Sequence, residues 1–516
     1  MSSPSPQQQK RVVDLIVIGC GNRGKNYARY TKEHPDQCRL VAIAEPRKYV
    51  REWMKEIYNL NSECLFNDWQ SLYSYLLEFQ KDHDLSKDEN KRHPPFLDPT
   101  HEKTVIICTQ DQYHVEPALA FASLGFHILL EKPMAVKAED CKRITKAVEE
   151  NGVKFAVCHV LRYSIYTQRL KEILNSGLIG NIINIQHLEP VGWFQYAHSY
   201  VRGNWNNEQT SSPMLLAKSC HDIDWLCHVM TPHKVVQVSS FGSLMHCRKE
   251  NKPEGAASRC LDCPSSIEEK CCYSAKKIYL DTVKAGHTGW PVSIIIGRLE
   301  WVFFVSLKLI CVYYYIRMTV PHVLFFSESG EEPTVENVSQ ALRDGPYGRC
   351  VYESDNNVVD NQVVSLQFDN GATCTFTMIA YSKEICERKT RIYGTLGELE
   401  IIGNTIHHFD FLTQTYKKIE LDNEIPKTNL SGHGYADYYL MKNFIDAICE
   451  NDSSKLLSNA RETLNSHLLV FTAEEARHSS TVIKVNDHVD LTNVNSSPPT
   501  VSCDSRGSSN SKCELN

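Results

Sequence analysis

The 516-residue chain has no excess of positive charge: 55 Lys and Arg stand against 62 Asp and Glu, for a formal net charge of −7. Without a basic footprint, neither nucleic acid nor an anionic membrane surface is an expected partner. No apolar signal-peptide core follows Met1. Residues 1–10 are rich in Ser, Pro and Gln and read as a disordered leader. A disulfide framework is missing too. The 20 cysteines are mostly scattered singly, as expected of reduced thiols in a cytoplasmic protein. The sequence shows no internal repeat, and its length allows two or three domains around a large core.

No uninterrupted apolar run reaches the roughly 20 residues that span a bilayer. The longest apolar stretch, within 297–327, is broken by Glu300 and Lys308. It also breaks the domain pattern around it. Gly297-Arg298 can encode a splice donor, and Leu324-Phe-Phe-Ser327 a pyrimidine tract with its acceptor. We read the segment as an anomalous insertion, a translated intron; transcripts that always contain it would contradict this.

The run from Asp14 to Gly24 carries the strongest signal. Asp14-Leu-Ile-Val-Ile-Gly19 reads as a buried strand, and Gly19-x-Gly21-x-x-Gly24 as the turn after it. Gly19 allows the tight turn, Gly21 the approach of a pyrophosphate, and Gly24 close packing of the following helix. A second apolar run, Arg39 to Ala44, ends in Glu45, where an acid binds the ribose hydroxyls of NAD. Arg47, two residues on, suits the 2′-phosphate of NADP instead, so NAD is favoured and NADP stays open.

Strand and helix patterns alternate over 11–160, which predicts a doubly wound parallel Rossmann sheet of the α/β class. Period-two runs follow at 182–188, 235–241, 362–368, 372–379 and 389–393. They predict an α+β domain over 161–480 with a large, mostly antiparallel open sheet. Helices near 435–450 and 460–479 are expected to close that domain, and 481–516 to form a mostly disordered tail.

The glycine turn, Thr109 to His114, Gly125-Phe-His-Ile-Leu-Leu-Glu131-Lys132-Pro133 and His221-Asp-Ile-Asp224 together resemble the Gfo/Idh/MocA oxidoreductases over nearly the whole chain. The resemblance implies a Rossmann domain, a second domain with an open sheet, and a homo-oligomer paired through such sheets. It implies hydride transfer between NAD(P) and a sugar or polyol hydroxyl. It assigns cofactor binding to Gly19, Gly21, Asn22, Arg23, Gly24, Glu45, Thr109, His114 and Glu131.

Hydride leaves a carbinol carbon only as its hydroxyl loses a proton, so a proton acceptor and a cation are needed there. Lys132, at a strand end in the ligand crevice, and His221 are the catalytic candidates by similarity. The family's aspartate four residues before that histidine is absent: Ala217 stands there, with Lys218 next to it. Two alternatives therefore stay open, an NAD-dependent glycosidase and a non-catalytic NAD(P)-sensing regulatory protein. Arg162 and Tyr163 either touch substrate or pack the domains together.

Cys260-x-x-Cys263, followed by Cys271, suits tetrahedral zinc, with His246 as a further ligand. The other reading is a set of reduced thiols in a surface excursion.

Overall fold

In the computed structural model the described residues are 11–85, 93–296, 332–403, 405–420, 426–485, 491–492, 494–499, 501–502 and 514–515. The expected leader and the anomalous insertion, with its intron reading, lie outside them.

Six strands form the first sheet: β1 (Val13–Ile18), β2 (Cys38–Ala44), β3 (Leu65–Phe66), β4 (Glu102–Ile107), β5 (His127–Leu130) and β6 (Phe155–Val157). Their order is β3-β2-β1-β4-β5-β6. Every neighbouring pair is parallel. All six residues of β1 are buried, as expected of a strand with helices on both faces. The strand order reverses between β1 and β4, which opens a crevice at the carboxyl ends. Gly19, Lys132 and His159 all lie just past such ends.

The second sheet holds nine strands: β7 (Ile182–Pro190), β8 (Val235–Ser243), β9 (Asn361–Phe368), β10 (Thr373–Ile379), β11 (Lys389–Gly394), β12 (Gly397–Ile402), β13 (Thr405–Asp410), β14 (Thr415–Glu420) and β15 (Ile483–Lys484). Their order is β14-β13-β12-β11-β7-β10-β9-β8-β15. Only β7 and β10 run parallel. Alternate residues of β9 to β11 are buried, so one face is covered. The helix Ala460–Ser479 packs across it, with Leu469, Val470 and Ala473 in the core of this domain. Both expected domains are present with the expected strand character.

The structure differs from the sequence reading at three places. β12 to β14 extend the sheet through three further antiparallel pairings. The helix Ala436–Cys449 does not close the second domain: Leu440, Met441 and Phe444 are buried with β1 in the Rossmann core. The tail is partly placed as well. β15 pairs with β8, Leu491 and Val494 pack on the Rossmann core, and Lys146 Nζ donates to the Val494 carbonyl (2.6 Å).

Candidate active site

The glycine turn is set by close approach. Gly19 has φ +84°, and a Cβ there would lie 2.6 Å from the Cys108 carbonyl oxygen. A Cβ at Gly24 would lie 2.1 Å from the Gly19 carbonyl oxygen, so a side chain would force the helix Asn22–Glu33 off the turn. Gly21 differs. The nearest atom to a Cβ there is the Arg47 guanidinium, at 3.9 Å. Open space thus adjoins the start of a helix whose first N–H groups have no intrahelical acceptor. Exposed Asn22 begins that helix.

Glu45 lies beside this turn, 1% exposed. It accepts from the Cys20 N–H (2.8 Å), the Arg47 N–H (3.0 Å) and the Arg47 guanidinium (2.6 and 3.0 Å). The acid that suits ribose and the arginine that suits a 2′-phosphate are therefore paired with each other.

Arg23 and Glu131 brace the site from below. Arg23 donates to Glu131 (2.7 Å) and, through both terminal nitrogens, to Asp437 (2.8 and 2.9 Å). Glu131 also accepts from Tyr27 (2.9 Å) and from the Lys132 N–H (2.9 Å). Burial opposes its charge, but Arg23 and Lys132 hold its carboxyl below the usual range. His114 is fully buried. Its Nδ1 meets the Pro133 carbonyl (2.7 Å) and its Nε2 the Thr109 carbonyl (3.2 Å). The Thr109 hydroxyl donates to the Tyr113 carbonyl (3.1 Å). These residues fix the turn that carries Lys132.

Lys132 reaches across to the second domain, where its Nζ donates to the Ala217 carbonyl (2.6 Å). His221, near the start of the next helix (Cys220–Met230), is 6% exposed. Burial, then the nearby charge of Lys132, pushes its pKa well down, so the imidazole is neutral. The two candidates for catalysis thus meet in one crevice.

The sequence reading missed the other half of this cluster. His159 stands edge-on to His221 (5.5 Å between centroids) and 5.4 Å from His467. Among the described residues, both His159 nitrogens and His221 Nδ1 have no hydrogen-bond partner. Asp224 lies 3.7 Å from His159 Nδ1. The available signal was a histidine directly after the last Rossmann strand, in the ligand crevice. A second missed group surrounds Lys218, which donates to Cys386 Sγ (2.8 Å) and lies 3.6 Å from Glu189. Arg388 joins Glu189 (3.3 Å) to Asp222 (2.5 Å).

Arg162 is 2% exposed and holds Asp224 through two bonds (2.7 and 2.8 Å). Tyr163 pairs with Ser458 (2.9 Å). Both pack the domains together.

The zinc expectation is corrected. Among the described residues no three His, Cys, Asp or Glu side chains form a group that could hold a metal ion. Cys260, Cys263 and Cys271 line a small cavity with Cys350, but Cys260 Sγ is engaged by Arg202 (3.4 Å). His246 instead meets the Tyr352 hydroxyl through Nε2 (3.1 Å). No described helix is long and apolar enough to cross a membrane.

Known proteins match this architecture. The model of the GFO_IDH_MocA oxidoreductase family with an NAD-binding Rossmann fold covers residues 13–159, and that of the family's C-terminal alpha/beta domain residues 327–485. A 2,7-anhydro-N-acetylneuraminate hydratase of Escherichia coli K12 is 29% identical over 144 residues, 28% of this chain and 37% of that protein. A scyllo-inositol 2-dehydrogenase (NADP(+)) of Bacillus subtilis 168 is 26% identical over 178 residues, 31% of this chain and 48% of its own length. The chain spans 37–43% of the length of the first curated relatives it matches. A levoglucosan dehydrogenase complexed with NADH and L-sorbose shares the fold, with a TM-score of 0.58 at 14% identity over 92% of this chain and 99% of that one. With both domains matched and the glycine turn, the Glu131-Lys132-Pro133 turn and His221 in place, the chain belongs to the Gfo/Idh/MocA oxidoreductase family.

Proposed function

We propose that the protein is an NAD(P)-dependent oxidoreductase that moves a hydride between nicotinamide and a hydroxyl-bearing carbon of a sugar or polyol. The observation that carries this reading is the Lys132–Ala217 bond, which brings Lys132 beside neutral His221 in the crevice past β5. The open space at Gly21 and the helix start fit a pyrophosphate, and Glu45 fits a ribose, so the residues present suit the dinucleotide. Bound NAD supplies the hydride acceptor. Lys132 stabilises the developing alkoxide, and neutral His221 takes the hydroxyl proton. NAD is the favoured cofactor.

The test is NADH formation over a panel of sugars and polyols. A second reading has support from the hydratase relative and from Ala217: a transient oxidation at the same site followed by elimination. In that case the cofactor returns to its starting state, and no NADH accumulates. We also propose a homo-oligomer joined through the uncovered sheet face, where Phe241 is 66% and Tyr416 60% exposed. A monomeric mass by light scattering would contradict this.

A further inference from the structure

We propose that an aromatic groove on the second domain is a carbohydrate subsite, so that the substrate is a glycoside or oligosaccharide rather than a free monosaccharide. This rests on the dehydrogenase reading for the position of the reacting carbon.

The groove is broadly open to solvent and offers about 670 Å³, room for a small-molecule ligand. Trp193, His246, Asn251, Tyr273, Tyr381 and Lys383 line it. The rings pack against one another at steep angles. Trp193 and Tyr273 are 6.1 Å apart at 69°, and His246 and Tyr381 are 5.5 Å apart at 85°. A pyranose offers an apolar C–H face, whose hydrogens suit the negative face of an aromatic ring. Its hydroxyl rim suits an amide and an ammonium such as those of Asn251 and Lys383. A cationic ligand suits aromatic clusters too, but no carboxylate lines this groove, and Lys383 would repel a cation.

The wall is held in advance of any ligand. Buried Asp360 accepts from the Met245 and His246 N–H groups (2.8 and 2.9 Å) and from the Tyr381 hydroxyl (3.0 Å). A preset wall saves the ordering that binding would otherwise cost.

A relay of contacts links the helix that carries Trp193 to the residues around Lys132. The Trp193 N–H donates to the Ser382 carbonyl (3.1 Å). Gln195, on the same short helix, lies 3.8 Å from Cys386 Sγ, which takes the Lys218 bond. Lys218 follows Ala217, whose carbonyl holds Lys132. The proposal places the next unit of a sugar reacting at Lys132 past Lys218, on the side of Trp193.

The test uses the full chain with NAD. Saturation-transfer NMR would compare glucose and galactose with their α- and β-1,4-linked disaccharides. At least one disaccharide should bind roughly tenfold tighter than its monosaccharide. Trp193→Ala should abolish that gain while leaving NADH affinity unchanged. Met245→Trp, at a rim position 54% exposed, should fill the groove and do the same. Equal binding of both sugar sizes, no sugar binding at all, or a gain that survives both variants overturns the proposal. The two readings fail separately. Disaccharide binding without NADH formation keeps the groove and contradicts the dehydrogenase. Turnover with equal binding keeps the dehydrogenase and contradicts the groove.

Discussion

Lys132 Nζ donates a 2.6 Å hydrogen bond to the carbonyl oxygen of Ala217, across the boundary between the two domains. The side chain at 217 supplies no carboxylate, but the backbone there fixes the lysine. Lys132 is held between this carbonyl and a turn braced by Glu131 and His114. His221, near the start of the following helix, is backed by His159 rather than by an acid at 217.

His159 should therefore matter to turnover. His159→Gln should lower kcat about tenfold or more with little change in NADH affinity. Steady-state kinetics beside a fluorescence titration would show it. An unchanged kcat would assign His159 to packing alone.

Gly21 and Gly24 should separate binding from stability. Gly24→Ala places a Cβ on the Gly19 carbonyl and should cost about 1–3 kcal/mol in a thermal or denaturant melt. Gly21→Ala meets no protein atom closer than 3.9 Å. It should melt like the parent but bind NADH at least tenfold more weakly, because the Cβ occupies pyrophosphate space. Equal melts for both variants would contradict this division.

Glu45→Gln should shift the cofactor preference. Arg47 would lose its anionic partner and become available to a 2′-phosphate. The ratio of NADP to NAD affinity, measured by titration, should rise about tenfold. A ratio that stays constant would mean the pair does not face the ribose.

Acid should destabilise the fold before the carboxylates titrate. Burial pushes His159 down to about 3, and His228 and His467 to about 4, from an ordinary 6.5. Between those values the unfolded chain binds more protons than the folded one. Stability is therefore full above pH 6.5 and falls towards pH 4, by ~1.4 kcal/mol per pH unit for each such histidine. Arg162 holds buried Asp224 low, so its contribution is lost only below the ordinary carboxylate value of 3.8. Melting temperatures from pH 7 to pH 5 should fall, with a shallower slope in His159→Gln.

The parts of the fold and site that local sterics or local pattern decide were legible in the sequence. The glycine turn was, because side chains are excluded at both Gly19 and Gly24, within six residues. The strands β7 to β11 were, because alternation marks a half-buried sheet. β12 to β14 were not: short runs such as Gly-Glu-Leu-Glu-Ile-Ile carry charges on the uncovered face and give a weak signal. The helix Ala436–Cys449 shows the right pattern, but pattern does not say which core it enters. Cys260-x-x-Cys263 misled because spacing alone does not reveal that Arg202 engages the first thiol. His159 was passed over because its neighbours, His221, Asp224 and His467, come from distant segments.

The most direct test is NADH formation by the full chain over a sugar and polyol panel, for the parent and for Lys132→Met. The account predicts turnover with at least one substrate, reduced at least 100-fold in the variant while NADH affinity is kept. No NADH from any substrate, or equal turnover in Lys132→Met, would contradict it.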